Sequence, residues 1–493
     1  MRFEPVIGLE VHAELETQSK MFCACPVVDT TLAQPNSAVC PVCSGMPGVL
    51  PVLNQRAVEY ALRVALALEC EILPVSIFAR KNYFYPDLPK GYQISQYEQP
   101  LARNGRLVIF SSSGEQTVRI RRVHLEEDTG KLTHLNQGGQ AYSLIDLNRA
   151  GIPLLEIVTE PDLHSSEAVR AYAMALRSLL RCLGVNSGDM QKGVLRIEPN
   201  VSVRPAESLE LGTRTEIKNL NSFRVLERSV AFEIQRQSDL LRTGQKVVQE
   251  TRGWDDIAGV TVTQRVKEEA DDYRYFPEPD LPPLVIEPGW LDAIRAALPE
   301  LPAAKLQRFQ AQYGLNKYDA GVLTEDLPVA DFFEQAVQSA PEVPAKLIAN
   351  WISGDLFSLL NQAGLGIDQA KVEPQALAEL ARMVFQGEIN QTSAKGVLAE
   401  MFASGKTPGS IVTERGLGQI SDEENLSQLV DQTLAENPAQ LASYLEGKET
   451  IARWLFGQAM RLAQGRANPG RLQSLLEKKL REQKEKYPPT SHI

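Results

Sequence analysis

The strongest constraint on this chain is a change of hydrophobic period along its length. Up to about residue 290, short runs alternate apolar with polar residues and are separated by Gly or Pro turns, which predicts strands. Beyond it, apolar residues recur at three- and four-residue spacing, as in Ala345 to Leu360 and Gln375 to Gln386, which predicts helices. Between the two lie Pro277, Pro279, Pro282, Pro283 and Pro288. Proline locks φ and lacks an N–H, so no regular element survives that density, and we expect a boundary there. Ser404 to Ser410, reading Ser-Gly-Lys-Thr-Pro-Gly-Ser, predicts a second hinge. The expectation is an α+β protein. A large mixed β-sheet domain over 1–290 is followed by an all-α helical domain over 291–405 and a small helical tail domain over 406–493.

A pair of helices stands out within the strand-rich region. One runs from Gln55 to Leu68 with Asn54 as N-cap. The other follows Ser165 and Ser166, carries Val169, Tyr172, Ala173, Leu176, Leu179 and Leu180 at helical spacing, and stops at Gly184. In the tail, Ser421 with Glu424 three residues on predicts a capping box. The last helix, Arg471 to Lys486, carries six Lys or Arg against three Glu.

A length of 493 residues suits roughly three domains, and a net charge of −11 excludes a protein that coats phosphate indiscriminately. We expect no DNA partner, and contact with RNA only through a local patch or through shape. No apolar run approaches the length of a membrane span, and the sequence opens directly into a strand pattern without a secretory h-region, so we expect a cytoplasmic protein with no membrane partner.

Four of the six cysteines fall between Cys23 and Cys43. Cys23-x-Cys25 and Cys40-x-x-Cys43 offer four thiolates from two knuckles, which suits tetrahedral zinc, and Pro41, Gly45, Pro47 and Gly48 favour tight turns that aim them inward. Four protein ligands would close the site, making it structural. The bland alternative is four unrelated core cysteines.

The opening strand, Val6-Ile-Gly-Leu-Glu-Val-His12, puts Ile7, Leu9 and Val11 on one face and Glu10 and His12 on the other. A second strand repeats the design with Glu198 and Asn200 facing away from Ile197 and Val201, and Thr213 to Asn219 puts Glu216 and Lys218 on one face. His124-Leu-Glu-Glu-Asp128 adds acids in a row. For any one strand, a solvated outer face explains the pattern. Together, Glu10, His12, Glu126 or Glu127, Glu198 and Glu216 would form an oxygen-rich cation site if they converge, of the kind that holds Mg²⁺ on a phosphate. His12 is softer than Mg²⁺ prefers and suits a more tolerant cation or phosphate itself.

A nucleotide site here is not a Walker A loop: Gly405-Lys-Thr407 carries its ending, but Glu400 stands where the first glycine belongs. No G-x-G-x-x-G follows a strand, and no Ser-His-Asp or Cys-His set is evident. Arg80 to Tyr97 interleaves cations with five aromatics, Tyr85 among them, and fits either a pocket for a polar substrate or a base, or a loop packed on the core.

Several long motifs resemble one family: Val6 to His12, Arg80-Lys-Asn-Tyr-Phe-Tyr-Pro-Asp87, His124 to Asp128, Leu147-Asn-Arg-Ala-Gly-Ile-Pro153, Thr215-Glu-Ile-Lys-Asn-Leu-Asn-Ser-Phe223 and Asp271 to Asp280. They look like those of the B subunit of the tRNA-dependent aspartyl/glutamyl amidotransferase, and the likeness extends to Gly465-Arg-Ala-Asn-Pro469 in the tail. The resemblance implies a cradle-like catalytic domain and a three-subunit complex. In it the A subunit releases ammonia from glutamine and the C subunit helps hold A and B together. The B subunit uses ATP to phosphorylate the side-chain carboxylate of Glu on tRNA(Gln) or Asp on tRNA(Asn), which ammonia then amidates.

The same resemblance implies Glu10, His12, Glu127, Glu198 and Glu216 as catalytic ligands of magnesium and phosphate, and selects Glu127 over Glu126. It suggests Lys81, Tyr85 and Lys90 at the substrate pocket or ammonia route, and zinc on Cys23, Cys25, Cys40 and Cys43. At position 198 the family usually has Cys-Asp-Ala where this chain has Ile197-Glu-Pro199, so its carboxylate reaches a methylene further. The rival expectation is a zinc-bearing, tRNA-binding scaffold without chemistry of its own.

Overall fold

The structure, a computed structural model, describes residues 2–266, 273–418, 422–463 and 466–486. Asp271, Asp272, Ser421 and Gly465, which figured in the expected motifs, lie outside the described residues. The chain divides into two compact units, Met1–Pro302 and Ala303–Ile493.

The first unit is built on β1 (Phe3–Glu14), β2 (Glu71–Ile72), β3 (Val75–Ser76), β4 (Phe78–Asn82) and β5 (Tyr92–Gln96). β6 (Ala102–Ser111), β7 (Gly114–Glu127), β8 (Lys131–Gln137), β9 (Gln140–Asp146) and β10 (Pro153–Thr159) follow. After them come β11 (Leu195–Pro205), β12 (Thr215–Lys218), β13 (Glu250–Asp255) and β14 (Val260–Val266). Among the described residues, nine strands form one mixed sheet in the order β14-β13-β12-β11-β1-β10-β7-β6-β2. The β12–β13 pair is parallel and the others are antiparallel.

The opening strand therefore lies near the middle of the sheet, and its alternation holds. Ile7, Leu9, Val11 and Ala13 are fully buried, while Glu10, His12 and Glu14 on the opposite face are half-buried. Each buried aliphatic side chain contributes roughly 1.5–3 kcal/mol, and a one-residue slip would put Glu10 and His12 into the core. Three helices supply the apolar partners: α1 (Gln55–Ala67), α2 (Ser166–Cys182) and α3 (Phe223–Arg242). The Asn54 side chain caps α1 by accepting from the Arg56 and Ala57 N–H groups, and Ser165 caps α2 through the Ala168 N–H. Gly184, at φ 64°, follows the end of α2. A fourth helix, α4 (Pro288–Ala296), buries Ile294 in this same core, so the first unit continues past the proline cluster.

The second unit is helical among its described residues, with one core from Phe309 to Val412 and another from Leu426 to Leu480. Pro408–Arg415 is a helix whose Ile411 and Val412 pack in the first of these, so the cores part beyond the Ser404–Ser410 turn. The helix expected over Ala345 to Leu360 contains a wide π-type turn over Trp351–Leu356, and Glu423–Glu436 is capped by Asp422, which accepts from the Asn425 N–H. No helix among the described residues is long and apolar enough to cross a membrane.

Candidate active site

Strand register assembles the polar face of the first unit's sheet. Glu10 lies opposite Glu198 on β11 and Val158 on β10; His12 lies opposite Arg196 and Glu156. Glu156 in turn faces His124 on β7, and Asn200 faces Glu216 on β12. Residues opposite one another share a face, so five strands deliver charged side chains to one surface.

Two groups of three emerge, each with its ligand atoms within 4.8 Å of one another: Glu10, Glu198 and Glu216, and His12, Glu126 and Glu156. Glu10 and His12, two residues apart on the same face of β1, join them. In the first group the Asn200 amide donates to Glu10 Oε1 at 3.1 Å and the Thr251 hydroxyl to Glu216 Oε2 at 2.9 Å. The Asn200 Oδ1 is buried without a hydrogen-bond partner among the described residues. Three carboxylates and an unused amide oxygen are the hard donor set that Mg²⁺ takes.

In the second group His12 Nε2 stands 3.4 Å from Glu156 Oε2 and 3.7 Å from Glu126 Oε1, and His124 Nε2 stands 3.1 Å from the same Glu156 oxygen. Ser95 donates to Glu126 Oε2 at 3.2 Å. An imidazole with two carboxylates suits a more tolerant divalent cation.

The gathered charges shift one another's titration on this face. Burial, and then Glu156 and Glu216, push the Glu10 carboxyl up. Burial opposes protonation of His12, yet Glu156, Glu126 and Glu198 outweigh it and push the imidazole up to about 9. Glu156 resists the same burial because His124 and His12 hold it well below the usual carboxylate range.

The consecutive acids Glu126 and Glu127 diverge here. Side chains alternate across a strand, so Glu126 joins His12 while Glu127 turns to the opposite face. There Glu127 pairs with Lys90 and accepts from the Ile94 N–H at 2.9 Å. The structure thus brings Glu10, His12, Glu198 and Glu216 together with Glu126, and not with Glu127. It adds Glu156, which the sequence reading missed; its signal was a lone acid inside the apolar run Pro153-Leu-Leu-Glu-Ile-Val-Thr159.

Lys81 lies beside this second group, where Glu126 and Glu156 act on its charge, and its ammonium sits 5.1 Å from the Tyr273 ring centroid. Tyr85 is exposed and lines, with Phe84, Pro86, Leu88 and Lys90, an open cavity of about 420 Å³. At the lower end of the face Asp128 pairs with Arg196 at 2.6 Å and with Arg149 at 3.6 Å.

The four cysteines also converge, with no disulfide between them. Cys43 Sγ lies 3.9 Å from Cys40 Sγ and 4.0 Å from Cys25 Sγ. Four thiolates on a tetrahedral zinc at about 2.3 Å are about 3.8 Å apart, so the spacing fits that ion. The Cys43 thiol is held low by the hydrogen bond from Cys23, against its burial, with help from the Cys40 N–H and Lys20. Lys20 itself is fully buried, donating to Ala38 O at 2.8 Å and Leu147 O at 3.2 Å, with Cys43 Sγ at 3.6 Å.

Residues 5–292 match the family described as the GatB/GatE catalytic domain, and residues 331–480 match the GatB domain. The B subunit of the aspartyl/glutamyl-tRNA(Asn/Gln) amidotransferase of Thermomicrobium roseum is 52% identical over 482 residues, 98% of this chain and 99% of that protein. The proteins of the same name from Myxococcus xanthus and Moorella thermoacetica are each 51% identical, over 97% of this chain and 98% and 100% of theirs. The chain belongs to the family of aspartyl/glutamyl-tRNA(Asn/Gln) amidotransferase B subunits.

Proposed function

We propose that this chain is the carboxylate-activating subunit of a glutamine-hydrolysing, ATP-dependent tRNA amidotransferase. Its substrates are Glu esterified to tRNA(Gln) or Asp esterified to tRNA(Asn), and its products are Gln-tRNA(Gln) or Asn-tRNA(Asn). A side-chain carboxylate cannot yield to ammonia directly, because oxide would have to leave. A carboxylate oxygen therefore bonds to the γ-phosphorus of ATP while the bond to ADP breaks. Ammonia then attacks the acyl carbon, inorganic phosphate departs, and the nitrogen loses a proton.

The observation that carries this reading is the pair of three-ligand groups on adjacent strands. Glu10, Glu198 and Glu216 would hold magnesium, and His12, Glu126 and Glu156 a second divalent cation. Such ions, when bound, neutralise charge on the transferring phosphoryl group, a reaction in which positioning and electrostatics do most of the work. Thr251 and Asn200 orient the first group, Ser95 and His124 the second. Lys81 is placed to attract an anionic substrate, and Tyr85 and Lys90 to line its approach. Glu127, named by the family resemblance as a ligand, serves here by anchoring Lys90.

Cys23, Cys25, Cys40 and Cys43 would hold a closed, structural zinc. The expected partners are a glutaminase A subunit, a C subunit completing the heterotrimer, and aminoacyl-tRNA met in part by the basic helix ending at Lys486. The cytoplasm, with its reduced thiols, suits this assignment. A non-catalytic scaffold is not favoured, since gathered carboxylates serve a cation and hinder RNA contact. The test is ATP-dependent conversion of Glu-tRNA to Gln-tRNA by the reconstituted complex. If Glu126→Gln keeps full activity with unchanged tRNA binding, the assignment fails.

A further inference from the structure

We infer that Lys218 is a placeholder cation: its ammonium holds the Glu10–Glu198–Glu216 group together until a divalent ion displaces it. The inference rests on the reading above that this group takes such an ion. Lys218 Nζ lies 2.7 Å from Glu198 Oε2 and 3.4 Å from Glu216 Oε1. Glu10 and Glu216 are oriented by neutral donors, Asn200 and Thr251, whereas among the described residues Glu198 receives its hydrogen bond from Lys218. Remove that ammonium and three carboxylates with oxygens within 4.8 Å of one another lose the cation that lies between Glu198 and Glu216.

The two cations cannot share the position. Magnesium approaches its oxygens to about 2.1 Å, and an ion gathered among these three carboxylates competes for the Glu198 and Glu216 oxygens that Lys218 Nζ now faces at 2.7 and 3.4 Å. Like charges at such separation repel strongly in a partly desolvated site. Lys218 has a flexible four-carbon stem and stands at the last position of β12, just before Asn219 at φ 65°. It can swing out while its charge stays near the phosphate-binding face.

Mn²⁺ binding to the full chain, with free ion counted by electron paramagnetic resonance, tests this. Lys218→Met should bind one Mn²⁺ about tenfold more tightly than the unchanged protein, a shift of about 1.4 kcal/mol. The double variant Glu198→Gln/Glu216→Gln should lose one equivalent. If the double variant keeps its stoichiometry, the cation-site reading fails and the placeholder with it. If it loses an equivalent but Lys218→Met binds no more tightly, the placeholder alone is overturned. A second measurement needs no substitution: acetylation of Lys218, followed by mass spectrometry, should accelerate when Mn²⁺ is added. An unchanged or slower rate overturns the inference.

Discussion

The cysteine knuckle and the carboxylate face both gather ligands from separate segments of one unit, yet they are built for opposite ends. The knuckle offers four soft donors, spaced to surround an ion completely. Each group on the carboxylate face offers three donors, fewer than the full coordination sphere of a divalent cation such as Mg²⁺. The supports differ in the same sense. The knuckle is backed by a fully buried lysine bonded to main-chain carbonyls, whereas the carboxylates are held by side chains such as Asn200, Thr251 and Ser95. A closed site serves stability and an open one serves chemistry.

That contrast breaks most visibly at Glu126. Replacing an outer-shell partner of a metal ligand typically costs 10–100-fold, so loss of a ligand should exceed about 100-fold. Glu126→Gln and Glu156→Gln should each lower kcat for amidation by more than that with tRNA affinity unchanged. Glu127→Gln should cost less, because its side chain faces away. Equal losses at 126 and 127 in single-turnover assays would undo the parity assignment. At the knuckle the split reverses. Cys43→Ser should take zinc from about one equivalent per chain to none and lower the unfolding temperature. Turnover per folded molecule should stay the same. A kcat that fell in proportion to zinc would make the knuckle a participant in the chemistry.

Much of this was legible in the sequence, for a physical reason. A strand covered on one face writes that fact as period-two alternation, so Glu10 and His12 could be set apart from Ile7, Leu9 and Val11 before any partner was known. Close cysteine pairs announce themselves similarly. Glu156 was hidden because its neighbours are apolar on both sides, and only the β1–β10 register shows that it meets His12. Glu126 and Glu127 could not be told apart because two successive acids carry no phase of their own. The family resemblance selected Glu127, and the pairing of β7 with β10 shows that it is Glu126 whose side chain reaches the cluster. The π-type turn at Trp351–Leu356 left no trace in a helical pattern that continues through it.

A smaller effect probes the seam between the two regions. Gly45, in the knuckle, sits at φ 69°, and a Cβ there would come within 2.8 Å of Lys90 Cγ and 3.0 Å of Lys90 N. Gly45→Ala combines left-handed backbone strain with that contact and should cost about 1–3 kcal/mol. Denaturant unfolding should show the loss while zinc content stays intact. If stability does not change, the knuckle and the Lys90 loop are not packed as tightly as this geometry requires.

The last effect is a pH dependence at Glu14, at the Asp128 end of the carboxylate face. Burial, and then the neighbouring Asp128, push its carboxyl up to about 8, although Arg196 and Arg149 pull the other way. Unfolded, the same group titrates near 4.3. Between those values the native state holds a proton that the unfolded chain has released, so Glu14 makes stability fall as pH rises through that window. Glutamine keeps an N–H that can donate toward Asp128, as the protonated acid does, and has no proton to lose. Glu14→Gln should therefore match the unchanged protein near pH 4.5 and melt progressively higher than it up to pH 8. Thermal unfolding of both proteins across that range measures the gap. A gap that stays constant with pH would mean that Glu14 is already ionised in the folded protein, and that the arginines, rather than burial, govern this end of the face.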